Sequence, residues 1–149
     1  LARRKLSRHI QEQVRQRAQY LCEYCHAAEQ WQYAPFTIDH VQPISLGGDH
    51  SIDNLALACS RCNIWKSNRV TAIDPESGRE TEIFNPRRHA WSDHFLWSAD
   101  GRFLIPLSAI GRTTISVLKL NRSRIAEIRA ADVLVGRHPP EGDPIQMIE

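Results

Sequence analysis

The stretch TIDHVQPISLGGDHSIDNLALACSRCNIWK, residues 37–66, decides the reading of this chain. Thr37-Ile38-Asp39-His40-Val41 alternates apolar and polar side chains and carries β-branched residues, the pattern of a short strand. Pro43 and Gly47-Gly48 break that pattern into a loop. Asp53-Asn54 then leads into Leu55-Ala56-Leu57-Ala58, a second short strand that ends at Cys59. Residues 60–67 read as a helix opening beside Cys62. The predicted order is strand, loop, strand, helix.

Outward from this unit, all four cysteines form two Cys-x-x-Cys pairs, Cys22/Cys25 and Cys59/Cys62, with 33 residues between them. Each x-x spacing lets both sulfurs face one metal, so the count closes a tetrahedral site with zinc favoured over iron. Two disulfides or a redox-active pair are the rival readings. The N-terminus, Leu-Ala-Arg-Arg-Lys-Leu-Ser-Arg-His, shows no signal-peptide pattern and begins with Leu1, as expected of a trimmed or partial chain. A reducing, cytoplasmic setting is therefore expected, and it argues against disulfides. Structural zinc contributes roughly 10–16 kcal/mol of apparent binding free energy. A whole domain is stable by only about 5–15 kcal/mol, so the local fold should fail without the metal. Four thiolates leave no open position, which makes zinc a scaffold and sends any chemistry elsewhere.

Three residues between and beside the knuckles could carry chemistry. Asp39 and His40 are neighbours, so a regular strand puts them on opposite faces unless it kinks there. Asn63 follows Cys62 directly, so zinc would fix its position. A carboxylate and an amide oxygen suit Mg²⁺ or Mn²⁺. A neutral imidazole beside that ion could take a proton from water, which makes a hydrolytic site for phosphodiesters.

Asp39-His40-x-x-Pro43, Gly47-Gly48, Asn54-Leu55 and Cys59-x-x-Cys62-Asn63-x-x-Lys66 together resemble an HNH endonuclease of the ββα-metal class, over about residues 20–68. The resemblance implies a zinc-stapled ββα unit that cleaves nucleic acid with a divalent cation. His40 matches the general base, Asp39 the adjoining metal-ligating acid, and Asn54 the middle Asn that orients the loop and the base. The third signature position, often His, is Asn63 here, an HNN-type variant with a poorer ligand for transition metals. His50, in the Gly-rich loop, could approach substrate. His26, beside Cys25, is set aside as a zinc ligand because four sulfurs already close the shell.

The flanks are less informative. Residues 7–21 read as a helix with Ile10, Val14, Ala18 and Leu21 inward, leaving Arg8, Arg15 and Arg17 for solvent or phosphate. Residues 1–25 hold six Lys/Arg against two Asp/Glu, while the net charge of the whole chain is only +2. This asymmetry points to a polyanion or to a solvated helix face. Lys66 is a further candidate phosphate contact, and Lys66, Arg69 and Arg87-Arg88 form the alternative track. After residue 69, a turn-rich loop at 74–78 precedes a hairpin over 95–105 with Asp100-Gly101 as its turn. Helices follow over 108–118 and 122–135, the second capped by Asn121 with Ile125, Ile128 and Leu134 on its apolar face. Trp91 reads as a packing residue.

The 149 residues are 42% hydrophobic and 24% charged, which excludes a disordered chain, and no apolar run approaches the ~20 residues of a membrane span. The expected architecture is α+β. An N-terminal helix and HNH nuclease core would occupy residues 1–69, and a hairpin-plus-helices extension residues 70–149. The expected function is metal-dependent cleavage of nucleic acid, DNA in preference to RNA, with structural zinc and catalytic Mg²⁺ or Mn²⁺. The rival readings are a zinc-dependent nucleic-acid-binding module without catalysis and a zinc-stapled protein-interaction domain.

Overall fold

A computed structural model describes residues 6–147. Arg3, Arg4 and Lys5, half the basic residues of the N-terminal segment, lie outside the described residues. Helix α1 spans Arg8–Arg17 and is capped by Ser7, whose Oγ accepts the Ile10 N–H at 3.2 Å. Val14 is fully buried, with Ile10 and Ala18 packed beside it, as the apolar spacing predicts. The helix stops short of residue 21 because Gln19 and Tyr20 take left-handed conformations, φ 55° and 58°, that turn the chain into the first knuckle.

Strands β1 (Thr37–His40) and β2 (Leu55–Ala58) pair antiparallel, with Asp39 opposite Ala56 and His40 opposite Leu55. All four β2 residues are buried, because α1 packs against this strand in addition to its pairing with β1. Helix α2 (Ser60–Lys66) lies against β1 and starts at Cys59, whose sulfur accepts the Cys62 N–H at 3.4 Å. This is the predicted ββα order, with α2 and the second Cys-x-x-Cys pair sharing a first turn.

Three features of the C-terminal part match or amend the sequence expectation. The 74–78 turn is flanked by two short strands that the sequence pattern does not announce, β3 (Thr71–Ile73) and β4 (Glu80–Glu82), which pair antiparallel. The later hairpin is present as β5 (Phe95–Trp97) and β6 (Leu104–Pro106), followed by α3 (Ala109–Val117) and α4 (Ser123–Leu134). Asn121 does not cap α4. Its amide exchanges two 2.8 Å hydrogen bonds with the backbone of Leu104, and Arg122 occupies the cap position without a side-chain bond.

Helix α4 also buries a different face from the one expected. Ile128 and Leu134 are exposed, whereas Ala126 and Arg129 are buried. Arg129 decides this orientation: its guanidinium lies 4.9 Å from the Trp97 ring and donates to the Arg102 carbonyl. Burial lowers its pKa to about 10, still charged at neutral pH.

One apolar cluster joins the two parts of the chain. Val14, Tyr24, Phe36 and Leu57 share it with Phe84, Trp91, Phe95, Trp97, Leu118 and Leu120. Trp91 packs as expected: it is buried, its indole N–H donates to the Tyr24 carbonyl at 2.9 Å, and its ring stacks on His26. Among the described residues no helix is long and apolar enough to cross a membrane.

Candidate metal centre and active site

The two knuckles converge. The sulfurs of Cys22, Cys25, Cys59 and Cys62 all lie within 4.8 Å of one another, and Cys25 Sγ is 3.8 Å from Cys59 Sγ. Ligands about 2.3 Å from a tetrahedral zinc are separated by about 3.8 Å, so the donor set and its spacing fit zinc. No disulfide joins these residues. Burial pushes the Cys22 thiol well above its ordinary range, and the close sulfurs do the same to Cys62. A bound divalent ion reverses that preference by coordinating thiolates. His26 is not part of the four-sulfur group and pairs through Nδ1 with Asp143 Oδ2 at 2.8 Å.

Beside this centre the candidate catalytic residues divide into two environments. His40 ends β1, half-buried, with its Nε2 3.1 Å from His50 Nδ1. His50 enters from the loop between the strands, and that loop is held by Asn54. The Asn54 side chain accepts the Gln42 N–H and donates to the carbonyls of Gln42 and Asp49, each at 2.9 Å. Gly48 is required at the same crossing, because a Cβ there would collide with the Gln42 carbonyl. Asn54 therefore sets the loop that delivers His50 to His40.

Asp39 stands elsewhere. The regular pairing of β1 runs through His40 without a kink, so the two neighbours stay on opposite faces. Asp39 is 5% exposed, and its Oδ2 accepts the Tyr24 hydroxyl at 2.7 Å and lies 3.1 Å from Lys66 Nζ. The Lys66 ammonium also donates to the carbonyls of His40 and Val41 at 3.2 Å and is 2% exposed. Burial, with the Asp39 carboxylate next in importance, raises the Tyr24 hydroxyl well above its usual range, so it stays a donor.

Two expectations are corrected by this cluster. Lys66 is not a surface phosphate contact: its long side chain reaches under β1, and its three N–H groups are used there. Asp39 does not present a carboxylate ready for a catalytic cation, because Lys66 and Tyr24 hold its oxygens. Asn63, on α2 between Cys62 and Lys66, is half-buried, and its side chain makes no hydrogen bond among the described residues. Asp39 and Asn63 thus do not fit Mg²⁺ or Mn²⁺ as a pair while Lys66 stays in place.

The expected N-terminal phosphate contacts also change. Arg15 is clamped by Glu29, with Nε 3.0 Å from Oε1 and Nη2 3.2 Å from Oε2, and it donates to the Phe36 carbonyl. Arg17 donates to the carbonyls of Ile52 and Leu55. These two arginines fasten α1 to the loop and strands of the core. Arg8 and Arg17 are both exposed, but the Arg17 guanidinium is engaged by those carbonyls, which leaves Arg8 as the remaining candidate. On the alternative track, Arg87 pairs with Glu23, Arg88 with Glu82, and Arg69 with the Trp65 carbonyl.

His50 is the residue most under-read from the sequence. A histidine in a Gly-rich loop gives no local sign that it will meet another imidazole, although its place between Gly48 and Asn54 marked it as near the site. No curated protein and no solved structure gives a significant match to the chain. Residues 22–69, the segment from the first knuckle to just beyond α2, match the family model described as HNH endonuclease.

Proposed function

We propose that the chain is an HNH-type endonuclease that hydrolyses phosphodiester bonds of nucleic acid, DNA in preference to RNA, in the cytoplasm. The observation that carries this reading is His40, placed at the end of β1 in the four-cysteine ββα unit, beside His50 and the Asn54-tied loop. As a neutral imidazole it would take the proton of a water whose oxygen bonds to phosphorus; the P–O3′ bond breaks and the leaving 3′ oxygen takes a proton from solvent, which gives 5′-phosphate and 3′-hydroxyl ends. Zinc would hold the knuckles and α2 in register with β1. His50 would act as a positioning residue, through its hydrogen bond to the base.

A second reading is favoured by a specific observation. With the Asp39 carboxylate engaged by Lys66, the chain would serve as a zinc-dependent nucleic-acid-binding module without catalysis. The decisive experiment incubates the protein with supercoiled plasmid and with RNA, with Mg²⁺, with Mn²⁺ and with neither, beside a His40→Ala variant. Cleavage by the wild type that the folded, zinc-loaded variant lacks supports the nuclease. Retained binding with no cleavage of either substrate under all three conditions establishes the binding module.

A further inference from the structure

The arginines and lysine that the sequence nominates for nucleic acid are largely consumed by internal contacts, yet the molecule retains a cationic cluster that they do not include. Trp65, on α2, is surrounded by three positive groups. The Arg61 guanidinium lies 5.8 Å from its ring centroid, Lys119 Nζ 5.1 Å and the Arg122 guanidinium 4.8 Å. Arg61 comes from the same helix, one turn earlier. Lys119 and Arg122 come from the turn between α3 and α4, more than fifty residues later in the chain.

Three features make this cluster an anion-seeking surface. Arg61 and Lys119 are exposed, and Arg122 and Trp65 are partly exposed. Among the described residues none of the three cations has a carboxylate within ion-pair distance. The ring face draws them together, but it does not neutralise their charge. Arg122 also sits at the N-terminus of α4, whose first turn contains no acidic residue and no side-chain cap, so the helix dipole adds positive potential. A zinc tetrathiolate is a dianion, and Arg61, Arg122 and Arg129 line the groove beside its sulfurs. Even with that charge set against them, these three and Lys119 leave a positive surplus.

We propose that Arg61, Lys119 and Arg122, gathered on Trp65, bind the phosphodiester backbone of duplex DNA. The C-terminal extension would thereby supply two of the three cations of this nucleic-acid surface, Lys119 and Arg122. The proposal rests on the nucleic-acid reading above but not on cleavage. A linear polyanion suits three cations spread around a ring better than a single small anion does, and backbone contacts hold a duplex without reading its sequence.

The test measures binding of a short DNA duplex by fluorescence anisotropy over a salt series. It uses the full zinc-loaded chain carrying His40→Ala to prevent cutting. Adding Lys119→Gln and Arg122→Gln should weaken binding at least tenfold at low salt and flatten the log–log salt slope by about two units, roughly 0.9 for each phosphate no longer neutralised. Adding Lys119→Arg with Arg122→Lys instead should restore most of the slope. Arg79→Gln with Arg137→Gln removes the same charge from residues that do not touch Trp65, and should change the slope by less than half as much. Circular dichroism and zinc content exclude misfolding. An unchanged slope in the folded Gln variant, an equal effect in the control pair, failure of the parent to bind DNA, or binding of an RNA duplex alone overturns the proposal. DNA binding with the expected flattening but no cleavage by the wild type leaves this surface standing and removes only the nuclease reading.

Discussion

Lys66 and Asp39 form a buried ion pair across the α2–β1 interface, Nζ to Oδ2 3.1 Å, with side chains 2% and 5% exposed. A pair so enclosed is costly to break on one side only, because the remaining charge is left without its partner in a low-dielectric setting. It also lies immediately next to His40, whose carbonyl accepts from the same ammonium. The stability of the helix–strand packing and the placement of the candidate base are therefore linked.

Asp39→Asn and Lys66→Met should each destabilise the protein by about 3–5 kcal/mol, and the double variant by less than the sum. Urea denaturation of the four proteins in a double-mutant cycle checks this. Additive effects would show that the pair contributes no coupling. Loss of cleavage in Asp39→Asn counts for a direct role only if its fold is shown to survive.

Metal content is the second expectation. Purified protein should hold one zinc per chain, and a strong chelator or Cys59→Ser should unfold the knuckle region, since metal binding of about 10–16 kcal/mol matches or exceeds the stability of a whole domain. Elemental analysis with circular dichroism reads both. A metal-free chain that keeps its native spectrum would contradict the assignment.

His40→Ala should lower cleavage by about 10²–10⁴ while zinc content and melting temperature hold. His50→Ala should have a smaller effect on rate, because it removes the hydrogen bond that orients His40 at Nε2. Equal rates in wild type and His40→Ala would remove His40 as the base.

Arg15→Ala should cost about 1.5–3 kcal/mol, the range for hydrogen bonds to charged groups. It loses the Glu29 clamp and the Phe36 carbonyl together. The salt dependence of DNA binding should be unchanged. A flattened salt slope with unchanged stability would return Arg15 to the nucleic-acid surface.

Two histidines set a pH trend in stability. Burial, partly offset by the hydrogen bond to the Gly101 carbonyl, holds His138 below the ordinary imidazole value of 6.5. Burial and then the neighbouring His89 do the same for His94. The folded state thus takes up protons less readily than the unfolded state. Their contribution is fully present above that value and is lost as pH falls through it toward the lowered folded values. Thermal melts between pH 8 and 5.5, at roughly half-unit steps around the imidazole reference, should show decreasing stability, with a shallower decline in His138→Gln. An identical slope in that variant would mean that His138 does not contribute.

What the sequence determined by itself was local. Two Cys-x-x-Cys spacings define a four-sulfur site, because each places its ligands within one turn of backbone. The alternation at 37–41 and the apolar run at 55–58 define two strands, and the ordered motifs from Asp39 to Lys66 carry the resemblance to HNH proteins. The tertiary structure decided the partners. Lys66 and Asp39 are 27 residues apart and Arg15 and Glu29 are 14 apart, and nothing in the local pattern distinguishes a cation that will be buried from one that stays in water. The exposed faces of Ile128 and Leu134 follow from the same cause. Helix periodicity offered an apolar stripe, but the Arg129 interactions with Trp97 and the Arg102 carbonyl turned another face inward. Which charges remain available to meet a polyanion, Arg61, Lys119 and Arg122 around Trp65, emerges only after the long-range pairs have claimed the rest.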